Sequence, residues 1–404
     1  MKKLFLVLVA LFAVLALFGC KDSGEKELTM LWWSDGTEGF VMQTLLNRYE
    51  QEEGVKITLV STPYNEYEQR LATMISGGKA PHLARVTEGH LNNFKDQILS
   101  LDKVFDETQF KNLFFNEDGD VIGLPMDITA NGMFVNLDLL EKYNVSYPEL
   151  GDPVWTWAEF ETQMNKLRDK DDVTAPGIFD HQAHRFMPLF YQNGVELWDT
   201  PYTTSNLKST KAVATVQKLM DWYDNGFLSD QTYVAKNSAA EFRKGTYGFH
   251  MSGNWNVSAY QNLTFDWTVV PMPKGETRAT ILGGKSMAAF ANSGAEDEAK
   301  DFITWLAKGV NHDQFTNGVP YLTPRLGAQV NYGPYAEQYN VFLDEIANTS
   351  NDHITDWLIQ VMIPGMYPIL NTFVQNAADP LNTKTALQLL TELEAALKAV
   401  APTA

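Results

Sequence analysis

Hydrophobic and polar positions over residues 28–86 switch between two periods, one typical of strands and one typical of helices. Gly54 is placed to end the first helix in the left-handed conformation that glycine adopts without strain. Residues 87–89, Thr-Glu-Gly, predict a loop after the last of these segments. The order βαβαβ favours a mostly parallel sheet with helices on its faces. The predicted segments are strand 28–33, helix 40–49, strand 55–60, helix 66–75 and strand 83–86.

Strand and helix patterns continue to alternate along the rest of the chain. Residues 118–120 predict a hairpin turn, and residues 132–136 predict a further strand. Thr156 and Glu159 have the spacing of a capping box, which opens a helix at that point. Helical periodicity is found over residues 156–167, 211–222, 296–306 and 385–400. We therefore expect at least two α/β units.

The amino-terminal segment is predicted to be a secretory signal. Two lysines precede an apolar run, residues 4–18, which is shorter than the ~20 residues of an ordinary membrane-spanning helix. The run leads into Leu-Phe-Gly-Cys, which resembles the lipobox of bacterial lipoproteins. We expect residues 1–19 to be removed, Cys20 to carry lipid, and residues 20–27 to be a flexible tether. The alternative is a plain signal peptide whose cysteine happens to lie near the cleavage point.

Composition and charge exclude several classes of protein. The chain has 404 residues, of which 45% are hydrophobic and 12% aromatic, and this is typical of a folded protein with two or three compact units. The formal net charge of −19 argues against binding to nucleic acid or anionic lipid through basic patches. A single cysteine excludes an internal disulfide and a cysteine-based zinc site.

No motif in the sequence indicates catalysis, and we expect no metal and no cofactor. His181 and His184 lack the further histidines or cysteines that a zinc site needs. The Gly-Lys-Ser of residues 284–286 has alanine where a phosphate loop requires its first glycine. Residues 116–121 begin like a calcium loop but have valine at the position of the sharp turn. No Gly-x-Ser-x-Gly nucleophile motif is found in the sequence.

Several aromatic residues fall beside glycines or just past predicted strands, where side chains reach the surface. Sugars suit such residues, because a pyranose ring has apolar faces that stack on aromatics and an edge of hydroxyls. For each of these aromatics, packing in the core is the alternative. The segments are Trp32-Trp33-Ser34-Asp35, Gly253-Asn254-Trp255 and Pro364-Gly365-Met366-Tyr367.

A series of short motifs occurs in a characteristic order. The most specific pair is Asp-Val-Ile-Gly-Leu-Pro at 120–125 followed by Asn-Leu-Asp-Leu-Leu at 136–140. The others are Gly-Gly-Lys-Ala-Pro at 77–81, Phe-Arg-Lys-Gly at 242–245, Gly-Asn-Trp at 253–255, Val-Pro-Met-Pro at 270–273 and Gly-Gly at 283–284. In this order they resemble the extracellular solute-binding lipoproteins of carbohydrate ABC importers, the maltose-binding-protein-like family, over residues 28–397. His82 departs from the family, which usually has an acidic residue there.

The resemblance implies an α/β, two-lobed type II periplasmic-binding-protein fold, with a three-crossing hinge and a ligand cleft between the lobes. We expect the crossings near residues 127–130, 272–277 and 327–330. Lobe 1 would then comprise residues 28–127 and 275–327, and lobe 2 would comprise residues 128–274 and 328–404.

The resemblance also implies a set of ligand-binding residues. Trp255 and Tyr367 match positions where aromatics stack on the sugar. Asp127 lies at the first crossing and is placed to accept hydrogen bonds from hydroxyls, the alternative being a hinge residue bonded to backbone. Arg325 offers a planar fork to the ligand, or a salt bridge that closes the lobes. The full set is Trp33, Asp35, Tyr64, Glu88, Asp127, Trp255, Gly284, Arg325 and Tyr367, with His184, Arg185 and Trp198 as further candidates.

Four members of this set follow predicted strands and are expected to face the cleft, and Gly284 is expected to let backbone approach the sugar. The function implied is reversible capture of a sugar or oligosaccharide by a monomer, with delivery to an ABC permease and no chemical reaction. The alternatives are a binder of a glycerol-phosphate-type polyol, a sugar-sensing lipoprotein and a secreted carbohydrate-active enzyme. The strand-following members are Trp33, Asp35 and Tyr64, which follow strands one and two, and Glu88, which follows the third.

Overall fold

A computed structural model of the protein describes residues 27–34, 36–198, 202–231, 237–319 and 321–401. The predicted signal, Cys20, nearly all of the tether and Asp35 lie outside the described residues. Within these residues the strands are β1 Glu27–Trp32, β2 Lys56–Ser61, β3 Leu83–Thr87, β4 Leu124–Thr129, β5 Asn131–Asn136, β6 Ala175–Phe179, β7 Tyr247–Gly253, β8 Trp267–Val270 and β9 Gly283–Ala289.

The helices cover both faces of the strands. They are α1 Glu38–Glu53, α2 Tyr64–Ser76, α3 Glu88–Asn93, α4 Leu137–Lys142, α5 Trp157–Met164, α6 Ala183–Gln192, α7 Thr210–Asp224, α8 Ser238–Phe242, α9 Trp255–Ala259, α10 Glu296–Ala307, α11 Gly309–Gly318, α12 Ala336–Ala347, α13 Asn351–Val361, α14 Met366–Ala378 and α15 Ala386–Val400.

The strands form two sheets of mixed direction. The first sheet has the order β2-β1-β3-β9-β4, and the second has the order β6-β7-β5-β8. In the first sheet β1 is parallel to β2 and β3, whereas β9 runs antiparallel to both β3 and β4. The expectation of a mostly parallel sheet is therefore wrong beyond the first three strands. The physical reason is that β9 arrives from a distant part of the chain and pairs in the opposite direction.

Local sequence signals determine where several helices begin and end. Gly54 has φ 71° and its N–H bonds to the carbonyl of Glu50, so it ends α1 as predicted. Thr156 and Glu159 form the predicted capping box at the start of α5. Residues 87–89, predicted to be a loop, instead start α3. Thr87 is the N-cap there and forms a capping box with His90, a residue type outside the usual pattern.

Each sheet is buried on both faces. Met30 and Trp32 of β1 pack with α1, α10 and α11 on one face of the first sheet, while Leu31 faces α2 and α3 on the other. In the second sheet, Met133 packs with α5, α6, α7 and the carboxyl-terminal helices, and Phe134 faces α8 and α12. Successive strand residues point to opposite faces, which is why adjacent residues join different cores.

The chain passes between the two sheets at positions that leave their strand ends facing each other. Ala130 separates β4 of the first sheet from β5 of the second, and residues 271–282 lead back from β8 to β9. Helix α13 packs on both sides, since its Leu358 and Met362 contact the core of the second sheet and that of the first. Among the described residues no single helix is long and apolar enough to cross a membrane, although α13 and α14, bent by 103°, satisfy that criterion as a pair.

Candidate functional site

The candidate site lies where the ends of the two sheets meet. Trp33 follows β1, Glu88 opens α3 directly after β3, and Gly283 opens β9, so all three belong to the first sheet. Trp255 opens α9 directly after β7 of the second sheet. A Cβ atom on Gly283 would lie 3.0 Å from Nε2 of His184, which α6 supplies, and 3.3 Å from Oε1 of Glu88. Groups from both sheets therefore already approach one another here.

The indole of Trp255 is enclosed by groups from both sheets. A Cβ atom on Gly253 would lie 1.8 Å from a carbon of the indole, so only glycine leaves room for the ring. The guanidinium carbon of Arg185 lies over the ring at 4.4 Å from its centroid, and Nζ of Lys285 lies at 5.5 Å. Cations are attracted to the negative face of an aromatic ring. A ligand that stacks on Trp255 therefore meets a platform that carries two cations.

Trp33 is buried at the base of the site. It is 1% exposed and packs against Tyr67 at 4.6 Å and Tyr64 at 5.3 Å between ring centroids. Arg85 in β3 lies against the same indole at 4.5 Å and donates to the carbonyl of Trp33 at 2.6 Å and to Oε1 of Glu38 at 3.0 Å. Within this structure Trp33 therefore orders the base of the site, while Tyr64, 54% exposed, is the aromatic residue of this group that solvent reaches.

Asp127 links β4 to β9. Its Oδ1 accepts the backbone N–H of Lys285 at 3.1 Å and lies 3.7 Å from Nζ of the same lysine. Its other carboxylate oxygen lies 3.9 Å from Nη2 of Arg85. The backbone-bonded alternative named for Asp127 describes these contacts, and two cations lie near its carboxylate. A direct contact between Asp127 and the ligand stays a prediction.

Glu88 is a buried carboxyl group at the centre of the site. Its residue is 6% exposed, and burial raises its pKa to about 7, against the opposing effects of a backbone hydrogen bond and of Lys285. The pKa of His184 is lowered, which is the direction that burial dictates for a base. Desolvation, together with Arg185, holds its pKa well below the usual value, so His184 is neutral. Burial thus shifts both Glu88 and His184 towards their neutral forms.

Of the two adjacent glycines, Gly283 is the one that faces the site. The space where Gly284 would carry a side chain is filled by the carbonyl oxygen of Asp127 at 2.3 Å and by Nδ2 of Asn112 at 2.7 Å. Gly284 is therefore required for close packing of β9 on β4. The Cβ direction of Gly283 points instead to His184 and Glu88, because neighbouring strand residues face opposite ways. Approach of a ligand to the backbone at Gly284 stays a prediction.

Tyr367 lies close to the other predicted residues. Burial raises its pKa well above the usual value, and Glu88 and Tyr64 raise it further by their proximity. Its ring is 6.1 Å from that of Trp357, whose ring is in turn 6.3 Å from that of His184. The structure therefore brings Tyr367 together with Glu88 and Tyr64, although these residues come from opposite ends of the chain.

Arg325 is engaged elsewhere. Its guanidinium group forms a bidentate salt bridge with Asp313 of α11, in which Nε donates to Oδ1 at 2.6 Å and Nη2 donates to Oδ2. Its backbone bridges to Phe110 on the first-sheet side. The guanidinium group of Arg325, proposed to bind the ligand, is thus already paired with a carboxylate on the first-sheet side. This salt bridge does not join the two sheets.

Several residues of the site were not selected from the sequence. Arg85 and Lys285 supply buried cations from within strands and pair with Glu38 and Asp127, respectively. Asp180 supplies the carboxylate beside Arg185. A charged residue inside the short apolar strand 83–86 was the one available signal, because such a residue is buried only when paired. Of the further candidates, His184 and Arg185 contact Trp255, whereas Trp198 is buried in the core of the second sheet.

Comparison with known proteins gives one consistent result. The profile of a family described as bacterial extracellular solute-binding protein matches residues 44–338. An arabinooligosaccharide-binding protein of Bacillus subtilis is 23% identical over 76% of this chain and 77% of its own length. A galactooligosaccharide-binding protein of the same organism is 23% identical over 76% of each chain. An ABC substrate-binding protein from Listeria monocytogenes, solved in complex with cycloalternan, superposes with a TM-score of 0.79 at 18% identity, covering 93% of this chain and 99% of its own.

Proposed function

The chain belongs to the bacterial extracellular solute-binding proteins, and from that membership we propose that it captures an uncharged sugar or oligosaccharide for an ABC importer. Its fold is the two-lobed type II fold of maltose-binding-protein-like proteins. The relatives named above bind arabino- and galactooligosaccharides, which are polyols without ionised groups. The same ligand class is the simplest that fits this chain.

The observation that carries the proposal is the arrangement around Trp255. An indole face suits the apolar face of a pyranose, and the groups around it offer both donors and acceptors to hydroxyls. Lys285 and Glu88 come from the first sheet, whereas Trp255 and Arg185 come from the second. A ligand held by both sheets favours their approach, because it makes its full set of contacts only when they are close.

Charge balance argues for an uncharged ligand over the glycerol-phosphate alternative. Three buried cations of the site each lie near a carboxylate, and Glu88 adds a further acid. An incoming phosphate or carboxylate would have to compete with these acids in a poorly solvated site, which is unfavourable. A related fold from Mycobacterium tuberculosis binds glycerophosphocholine, which is why that alternative is tested directly. The paired groups are Arg85 with Glu38, Arg185 with Asp180 and Lys285 with Asp127.

Screening by thermal shift is the experiment that tests the proposal. A ligand that binds only the folded state raises the melting temperature in proportion to the logarithm of its concentration over Kd. Neutral mono- and oligosaccharides should raise the melting temperature, whereas uronates and glycerol phosphodiesters should not. A shift with a phosphodiester and none with any neutral saccharide would replace the proposal by the alternative.

The cellular placement forms the second part of the proposal. The family is extracellular, and we propose that Cys20 carries the lipid anchor after removal of residues 1–19, with residues 20–27 as the tether. Replacement of Cys20 by alanine should release the protein from membranes into the medium or periplasm. Mass spectrometry of the mature amino terminus should find a diacylglyceryl group on Cys20 in the wild type. An unmodified terminus would show the plain signal peptide instead.

The remaining parts concern partners, lobes and chemistry. We propose a monomer that delivers its ligand to the transmembrane subunits of a permease, with lobe 1 as residues 28–127 and 275–327 and lobe 2 as residues 128–274 and 328–404.

The relatives are solute-binding proteins and not enzymes. A bound oligosaccharide should therefore be recovered intact, which chromatography after prolonged incubation measures. New reducing ends would indicate a hydrolase. A sugar-sensing protein would bind its ligand in the same way. Deletion of its gene would leave sugar uptake unchanged, whereas deletion of an importer component would abolish it.

A further inference from the structure

Arg185 makes contacts that leave its Nε–H without a partner among the described residues. Its side chain is 8% exposed and lies 4.4 Å over the centroid of Trp255. Nη1 donates to Nδ1 of His184 at 2.8 Å, and Nη2 lies 3.5 Å from Oδ2 of Asp180. Among the described residues, no acceptor lies within hydrogen-bonding distance of its buried Nε–H. A buried donor that is left unpaired is costly, so a ligand oxygen at this point would be favoured.

Asp180 is itself held by a chain of buried hydrogen bonds. The hydroxyl of Ser238 donates to Oδ1 of Asp180, and the backbone N–H of Ser238 donates to the same atom at 3.3 Å. Oγ of Ser238 lies 2.7 Å from Nε2 of His250, and the hydroxyl of Tyr260 lies 2.8 Å from Nδ1 of His250. We call Tyr260, His250, Ser238 and Asp180 the buried relay.

The donors and acceptors of the buried relay fit together in one way only. Because Ser238 uses its proton on Asp180, its oxygen must accept from Nε2–H of His250. A neutral histidine then has Nδ1 free to accept the proton of Tyr260. Desolvation lowers the pKa of His250 to about 4, so the neutral form that this pattern requires is the form present at neutral pH. Each of these donors has an acceptor, and the relay fixes the orientation of the Asp180 carboxylate.

We propose that Arg185 is a ligand contact that donates Nε–H to a sugar hydroxyl or ring oxygen beside Trp255, and that Ser238 and His250 are positioning residues that act through Asp180. This inference rests on the proposed function. Arg185 is then the residue that determines specificity for an uncharged oxygen. Asp180 already balances the charge of Arg185, so a neutral acceptor satisfies Nε–H without adding a further charge.

Calorimetric titration of the best saccharide from the thermal screen into single and double variants tests this inference. Arg185→Lys keeps a cation beside Asp180 and removes Nε–H, and Arg185→Gln removes the charge as well. Both should weaken binding by about 10- to 100-fold. Ser238→Ala should weaken binding by about 3- to 10-fold, since it acts indirectly. In an Arg185→Gln background, Ser238→Ala should change the affinity by less than about twofold, because its effect passes through Arg185.

Matched controls separate positioning from general destabilisation. Ser229 is a buried serine on the same side, bonded to the backbone N–H of Gln231 and outside the relay, so Ser229→Ala should leave affinity unchanged. His250→Gln retains a donor in the place of Nε2–H and should bind within about threefold of the wild type, whereas His250→Phe should match Ser238→Ala. Circular dichroism melting confirms that each variant is folded.

The possible outcomes have distinct meanings. A wild type that binds no saccharide overturns the proposed function itself. A wild type that binds while both Arg185 variants bind equally well overturns this inference alone. Equal effects of Ser238→Ala and Ser229→Ala, or an undiminished effect of Ser238→Ala in the Arg185→Gln background, would show that the relay does not act through Arg185.

Discussion

The side-chain oxygen of Asn254 accepts a hydrogen bond from the backbone N–H of Ala130 at 2.9 Å. Its side-chain nitrogen donates to the carbonyl of Ile128 at 3.3 Å, and its own N–H donates to the carbonyl of Ala130 at 3.2 Å. Ala130 is the residue between β4 and β5, where the chain passes from one sheet to the other. Because Asn254 immediately precedes Trp255, the candidate stacking residue and this crossing are held by one fully buried amide.

Replacement of Asn254 should destabilise the protein through this crossing. Asn254→Ala leaves buried backbone groups at the crossing without their side-chain partners, and we expect a loss of about 2–4 kcal/mol in the free energy of unfolding. Asn254→Asp keeps the acceptor for Ala130 but places a fully buried carboxylate against the carbonyl of Ile128, so its loss should be at least as large. Urea unfolding measures both. Asn348→Ala, at an exposed helix end, is the control, and an Asn254→Ala loss no larger than the control's would contradict this account.

Gly253→Ala tests whether saccharide binding depends on the present position of the Trp255 ring. A Cβ atom would lie 1.8–2.5 Å from three carbons of the indole, so the ring has to move. We expect weaker saccharide binding by at least about tenfold, measured by calorimetry, with a folded protein. Gly89→Ala is the control, because its Cβ would lie 3.7 Å from the nearest atom, Oγ1 of Thr87. If Gly253→Ala and Gly89→Ala bind alike, Trp255 does not need its present position.

Glu88 gives a prediction for pH. Its pKa is raised from 4.5 in the unfolded chain to about 7 in the fold, so at intermediate pH the folded state binds the extra proton. Stability should then fall as pH rises from about 4.5 to about 7, by up to about 3 kcal/mol from this group. Glu88→Gln removes that contribution, so the stability of the variant relative to the wild type should increase between pH 5 and pH 8.

Unfolding free energies of both proteins at the two pH values measure this difference, because contributions of the other groups cancel in the comparison. Glu337→Gln on the surface of α12 is the control and should show no such change. A Glu88→Gln difference that is constant between pH 5 and pH 8 would show that the carboxyl group does not titrate abnormally in the fold.

Local patterns account for most of the elements and for part of the site. Gly54 and Thr156 act at helix ends as their local sequence predicts, since capping depends on residues a few positions apart. The helix at Glu88 was missed because His90 takes the role that glutamate or glutamine usually has. The direction of β9 was not predictable from its own residues, because a strand's partners are set by the whole sheet.

The same distinction between local sequence signals and long-range contacts applies to the site. Glu88 could be selected because it follows a predicted strand. Trp255 could be selected because it lies beside a glycine and, like Tyr367, matches a stacking position of the family that the sequence resembles. Arg185 and Ser238 are 53 positions apart and meet only through Asp180 in the folded chain. Long-range polar networks of this kind have no periodicity, so local sequence patterns do not indicate them.

Calorimetric titration of wild-type protein and of Trp255→Ala with neutral arabino- and galactooligosaccharides tests the central claim most directly, with Trp267→Phe as the control at a second aromatic of the same sheet. The account predicts one saturable site in the wild type and in Trp267→Phe. It predicts affinity about 5- to 150-fold weaker in Trp255→Ala, from the loss of about 1–3 kcal/mol of stacking. A wild type that binds none of the neutral saccharides, or a folded Trp255→Ala that binds them with unchanged affinity, would contradict it.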